Sequence, residues 1–94
     1  QACQEADVVV TDVWTSMGQE SEKKQRESSF KGFQVDQLMM NQAKADAVFM
    51  HCLPAYRGIE VSSEVIDGSQ SVVWSEAENR LHAQKSLLLY LIED

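Results

Sequence analysis

A chain of 94 residues, 44% hydrophobic and 24% charged, has a globular composition rather than a disordered one. Its formal net charge of −7 excludes the basic stripe that a nucleic-acid binder needs. No apolar run approaches the roughly 18 residues of a membrane-spanning helix, so neither nucleic acid nor a bilayer is an expected partner. The length suits one small domain or part of a larger one. The chain opens at Gln1 without a methionine, and residues 1–5 read as the tail of a helix, so a fragment is expected. Cys3 and Cys52 are too few and too unpatterned for a disulfide framework, which favours a reducing compartment.

In chain order, residues 7–12 form a β-branched run closed by a polar residue, the pattern of a buried strand. Its continuous apolarity predicts a parallel sheet covered on both faces. Residues 18–31 are polar and charged, with Glu20/Lys24 and Glu22/Arg26 at favourable i,i+4 spacing, and predict a solvated helix. The alternative is a mobile lid between Gly18 and Gly32. Residues 37–45 predict a short amphipathic helix with Leu38, Met39 and Ala43 inward. Residues 46–50 predict a second strand, and 58–68 a short helix capped by Ser62 or Ser63 that packs Val65 and Ile66. Residues 71–74 predict a third strand. The last helix carries a capping-box signature, Ser75 with Glu78, followed by Ala77, Leu81, Leu88 and Leu91 at roughly helical period. The order β-α-α-β-α-β-α predicts an α/β fold, a parallel sheet flanked by helices.

Each predicted strand delivers polar groups at its end, and in open α/β sheets ligands bind outside the carboxyl ends of parallel strands. Asp12 follows the first strand and either caps the next turn or holds a cationic partner such as a substrate ammonium. Ser16-Met17-Gly18 offers a hydroxyl, a backbone N–H and a flexible joint, suited to an amino-acid head group. His51-Cys52-Leu53-Pro54 ends the second strand. The thiol there is a nucleophile only with an activating base, and no acid lies nearby in sequence to complete a triad. A metal is not expected, since His51 and Cys52 lack third and fourth ligands at plausible spacing and His82 stands alone. The remaining reading is a thiol and backbone carbonyls aimed at a polar substrate. Arg80, in the first turns of the last helix, either pairs with Glu76 or Glu78 or binds phosphate or carboxylate. Arg57 is a weaker candidate of the same kind.

Three motifs taken together resemble the ornithine carbamoyltransferase family. They are Asp12-Val13-Trp14-Thr15-Ser16-Met17-Gly18-Gln19, His51-Cys52-Leu53-Pro54-Ala55 and the run from Glu76-Ala77-Glu78-Asn79-Arg80 to Gln84-Lys85. Aspartate carbamoyltransferases resemble it in fold but differ where Cys52 and Ser16-Met17-Gly18 stand. The resemblance implies a Rossmann-like half of a carbamoyltransferase, with residues 1–94 a partial ornithine-binding domain. The family's amino-terminal domain, with its Ser-x-Arg-Thr phosphate-binding motif, is absent from this chain.

The implied reaction moves the carbamoyl group from carbamoyl phosphate to the δ-amine of L-ornithine, giving citrulline and phosphate, as in arginine biosynthesis and the urea cycle. No cofactor and no metal are implied. The resemblance implies that Asp12, Ser16 and Met17 hold the amino-acid part of ornithine, and that Cys52 lies by its δ-nitrogen. It also puts His51 among the substrate-binding residues and sets the Leu53 carbonyl and Arg80 against carbamoyl phosphate. The Leu53-Pro54 bond is expected to be cis, and the segment after Gly18 to close over ornithine. The implied assembly is a homotrimer with sites between subunits, so the isolated segment should be inactive. The implied compartment is the cytoplasm, or a mitochondrion or plastid if a targeting peptide lies upstream. Two alternatives stay open: a different amine acceptor, such as putrescine or a modified ornithine, and a non-catalytic module on the same scaffold.

Overall fold

The computed structural model describes residues 1–15 and 20–93. Its centre is a parallel pair of short strands, β1 (Val8–Thr11) and β2 (Val48–His51), in register from Val8 beside Val48 to Thr11 beside His51. Side chains alternate across a strand, so Val9 and Phe49 share one face and both are buried. Val8 and Val10, on the other face, are exposed. The two-sided cover expected from the continuous apolar run is therefore present on one side only.

Between the strands run a 3-10 turn (Glu20–Glu22), helix α1 (Lys23–Ser29) and helix α2 (Gln37–Gln42). As expected for a solvated element, α1 has no buried residue, and Arg26 pairs with Glu22 one turn back at 3.0 Å. The chain leaves it through Gly32 at φ 91°, a left-handed conformation that costs glycine little. Helix α2 starts where Asp36 accepts the Met39 N–H at 2.9 Å, a side-chain N-cap. That start sets the phase of the helix and overturns one expectation: Leu38 is 75% exposed, while Met40 is 1% exposed and Ala43 also turns inward. The helix also ends at Gln42, earlier than its apolar pattern suggests. Helix α3 (Ser63–Ile66) buries Val65 and Ile66 as expected, with Ser62 at its start.

The third predicted strand is corrected. Only Ser71 bridges to β2, beside Phe49, held by Phe49 N–H to Gln70 O at 2.8 Å and Val72 N–H to Phe49 O at 3.0 Å. Helix α4 (Val73–Ile92) begins two residues later with Val72 at its N-cap, so Ser75 lies inside the helix and the capping box does not form. Two β-branched residues give only a weak strand preference, and packing overrides it. Val73 is fully buried, and the Glu76 carboxylate accepts the His51 N–H at 3.0 Å, which requires the helix to be under way.

The core gathers Val9, Phe49, Val61, Val65, Ile66 and Val73 with Met40 and Ala47. Residues 1–5 form hydrogen-bonded turns rather than a helix tail, tied to α2 by Glu5 N–H to Gln42 O at 3.0 Å. Past Glu76 every described residue of α4 is exposed, including Leu81, Leu88 and Leu91. The radius of gyration, 15.8 Å, exceeds the ~13 Å of a compact domain of this size because α4 projects from the rest. Among the described residues no helix is long and apolar enough to cross a membrane.

Candidate functional site

The parallel register does the first part of the assembly. Thr11 lies beside His51, so the next residues along, Asp12 and Cys52, emerge together at the carboxyl ends of the two strands. The Cys52 thiol donates to Asp12 Oδ1 at 3.3 Å, across 40 positions of sequence. Asp12 also accepts the Val13 N–H at 2.7 Å, which orients its carboxylate. Both side chains are exposed.

The thiol is held above its ordinary pKa. Partial desolvation contributes most, followed by the Asp12 hydrogen bond and charge and the more distant charge of Glu76. Each favours the neutral thiol, so at neutral pH this cysteine is a protonated donor and not a thiolate nucleophile.

His51 faces the other way. Alternation along β2 sends its ring inward, where it is 1% exposed. Its Nε2 lies 2.8 Å from Glu60 Oε1, and its Nδ1 accepts the Leu53 N–H at 2.9 Å. Glu60 Oε1 also accepts the Tyr56 N–H at 2.9 Å. Leu53 adopts φ 57°, the left-handed region that an ordinary side chain enters only when its surroundings enforce it, and the Leu53-Pro54 bond is cis.

A ligand-type atom from each of Asp12, His51 and Cys52 lies within 4.8 Å of the other two. Both nitrogens of His51 already have protein partners, however, which leaves a carboxylate and a thiol. A structural zinc takes four such ligands.

The remaining candidates divide. Arg80 is exposed on the second turn of α4, one turn beyond Glu76 and on the same face, and among the described residues it makes no ion pair. Arg57 is committed elsewhere: its guanidinium grips both Asp67 oxygens, at 3.1 and 2.8 Å, and holds that carboxyl below the usual carboxylate range. Ser16, Met17 and Gly18 lie outside the described residues. Helix α1 and its end are tied back towards Asp12. Arg26 donates to the Trp14 carbonyl at 3.1 Å, and the Trp14 and Phe30 rings lie 5.6 Å apart.

Sequence reasoning missed Glu60 and Glu76. Glu60 is 0% exposed, and its signal was a carboxylate set between Ile59 and Val61 in an otherwise apolar step. Glu76 was read as a partner for Arg80 and as the head of the third motif, with no role of its own. Nothing local to it indicates that its carboxylate reaches the end of β2.

Comparison with known proteins places the chain in a family. The family model described as "Aspartate/ornithine carbamoyltransferase, Asp/Orn binding domain" matches residues 1–91. The chain is 66% identical over 92 residues to the ornithine carbamoyltransferase of Ruthia magnifica, covering 98% of this chain and 31% of that protein. Among solved structures, the anabolic ornithine carbamoyltransferase of Campylobacter jejuni superposes with a TM-score of 0.88 at 47% identity, over 96% of this chain and 30% of that one. The Pyrococcus furiosus ornithine carbamoyltransferase superposes at 0.85 and 57% identity, over 93% of this chain and 28% of that one. The chain thus spans about 30% of the length of the curated relatives it matches. With paired parallel strands delivering Asp12 and Cys52 side by side, and a family model that runs through both, the chain belongs to the aspartate/ornithine carbamoyltransferase family as part of its Asp/Orn binding domain.

Proposed function

We propose that this chain is the ornithine-binding part of an ornithine carbamoyltransferase whose other domain binds carbamoyl phosphate. The observation that carries this reading is the Cys52 thiol resting 3.3 Å from the Asp12 carboxylate at the tips of two paired strands. Ornithine has two amines and needs them treated differently. Asp12 holds the α-ammonium, whose charge a carboxylate stabilises. The δ-amine, with a pKa of about 10.4, must be deprotonated before it can attack a carbonyl carbon. A thiolate beside it would keep it charged, whereas a neutral thiol does not.

In the transfer, the δ-nitrogen forms a bond to the carbamoyl carbon and the bond from that carbon to the phosphate oxygen breaks. The ammonium sheds one proton before attack and a second as the C–N bond forms. The departing phosphate takes one of the two, and the other reaches solvent. Most of the rate acceleration comes from holding the two substrates in line and from cations placed where the phosphate charge develops. Arg80 is such a cation, at the amino-terminal end of α4, and the Leu53 carbonyl accepts from the carbamoyl group. Ser16 and Met17 complete the grip on the amino-acid end, and the segment around α1 closes over it. His51 supports the site from beneath. The working assembly is a homotrimer, and the cytoplasm is its compartment, in keeping with two free cysteines.

Titration calorimetry on the full-length protein tests this. Arg80→Ala is expected to lose carbamoyl phosphate binding, and Asp12→Asn to weaken ornithine at least about tenfold, the loss of a charge-assisted hydrogen bond. Unchanged affinities in both variants, or putrescine outcompeting ornithine in the transfer assay, overturn the reading.

A further inference from the structure

The most deeply buried carboxylate in the described chain takes no direct part in carbamoyl transfer. Glu60 is 0% exposed, yet its Oε1 receives two hydrogen bonds, one from the His51 ring and one from the Tyr56 N–H. The proton positions are dictated by the donors. A backbone N–H only donates, so the Leu53 N–H requires a lone pair on His51 Nδ1. The ring proton is then on Nε2, which needs an acceptor in a place water does not reach, and Glu60 Oε1 is that acceptor. Without it the Nε2 donor would be buried unmet, and the opposite tautomer would set two N–H groups against each other at Leu53.

We propose that Glu60 is a positioning residue. It fixes the His51 tautomer, and through it the left-handed turn at Leu53 that holds the Cys52 thiol outward. The chain of contacts is short: Glu60 Oε1 to His51 Nε2 at 2.8 Å, then His51 Nδ1 to Leu53 N at 2.9 Å. The second bond to Glu60 Oε1, from the Tyr56 N–H at 2.9 Å, pins the far side of the same loop, so one oxygen closes residues 51–56 into a ring of contacts. Glu76 accepts the His51 N–H separately, at 3.0 Å. The role in catalysis rests on the carbamoyl-transfer reading, while the holding of the loop does not.

The test uses the full-length enzyme with two readouts: steady-state kinetics, and alkylation of Cys52 by iodoacetamide mapped by mass spectrometry, with Cys3 as the reference thiol in the same molecule. Glu60→Gln keeps an oxygen for both donors and is expected to leave both readouts within about threefold of wild type, because the geometry and not the charge is needed. Glu60→Leu removes the acceptor. Its kcat is expected to fall about 100-fold, with KM for carbamoyl phosphate little changed, as a displacement near 1 Å in a reacting group produces. Its Cys52 alkylation rate should shift more than about threefold while Cys3 stays constant, since exposure and charge partner set thiol reactivity.

Wild-type kcat and alkylation in Glu60→Leu overturn the proposal, as does equal damage from Gln and Leu. Should the Leu variant not fold, His51→Asn against His51→Leu decides. An Asn oxygen reaches the N–H two residues on, as in an Asx turn, and should keep Cys52 reactivity near wild type where Leu does not. Equal alkylation rates in that pair overturn the proposal. Absence of carbamoyl transfer in the wild type defeats the proposed function instead, and the alkylation comparison still decides the role of Glu60.

Discussion

His51 and Cys52 are joined by one peptide bond yet occupy opposite environments. The imidazole is buried with both nitrogens committed to protein partners, whereas the thiol is exposed and shares a single carboxylate. Strand alternation sends the His51 ring to the core, and the turn that follows β2 leaves the next residue, Cys52, at the surface. The contrast separates support from chemistry. The imidazole below the strand tips has both nitrogens met inside the protein, and changing it should alter stability or loop shape. Groups above have capacity left for a ligand, and changing them should alter reactivity or binding.

The sharpest attack on this division is to damage the lower side. Phe49 is fully buried between β1, the Ser71 bridge and α4, so Phe49→Ala is expected to cost about 3–5 kcal/mol. That is much of the stability of an ordinary domain. Denaturant unfolding of the full-length protein measures it, and a loss under about 1 kcal/mol would mean that the core does not support the tips.

A smaller effect is expected just beyond α3. A Cβ on Gly68 would stand 2.5 Å from the Glu64 carbonyl oxygen, which is backbone and cannot swing aside. Gly68→Ala should therefore cost about 1–3 kcal/mol, in the range of overpacking. Unaltered stability in the same measurement would show that the turn at residues 67–70 adjusts freely.

The smallest change in stability is expected on the upper side. Asp12→Asn removes the charge that helps to keep the Cys52 thiol protonated, so the pH midpoint of Cys52 alkylation should move down, with only a small loss of unfolding free energy at neutral pH because both side chains are exposed. The sign is fixed by the raised folded-state pKa. That contribution to stability is complete below the pKa of an unfolded thiol and fades as pH rises through the higher folded value. A midpoint that stays put or climbs would show that Asp12 does not govern the thiol, and the division between the two sides would blur.

Much of the site was legible in the sequence, for a physical reason: strand ends announce themselves where an apolar run meets a polar residue. Asp12 and Cys52 were readable in this way, and their adjacency is settled once the strands pair in parallel. Arg80 was readable as a cation early in a helix, though its relation to the strands was not. Contacts that depend on long-range geometry were hidden. The reach of Glu76 to His51 spans 25 positions, and no local pattern encodes it. Glu60 looked like one more acidic residue because burial of a charge shows only after folding. The false third strand has the same origin. Val72 and Val73 have the right composition, but Glu76 and the buried Val73 require a helix there. In α2 the error was one of phase, since a single cap at Asp36 decides whether Leu38 or Met40 turns inward.

The projecting half of α4 has a practical consequence. From Leu87 to Ile92 the side chains are apolar and all exposed, a contiguous greasy surface of the kind that soluble monomers seldom tolerate. Produced by itself, this stretch of polypeptide should self-associate as its concentration rises, and its sedimentation should drift upward accordingly. Handling the isolated segment as a well-behaved monomer would therefore mislead.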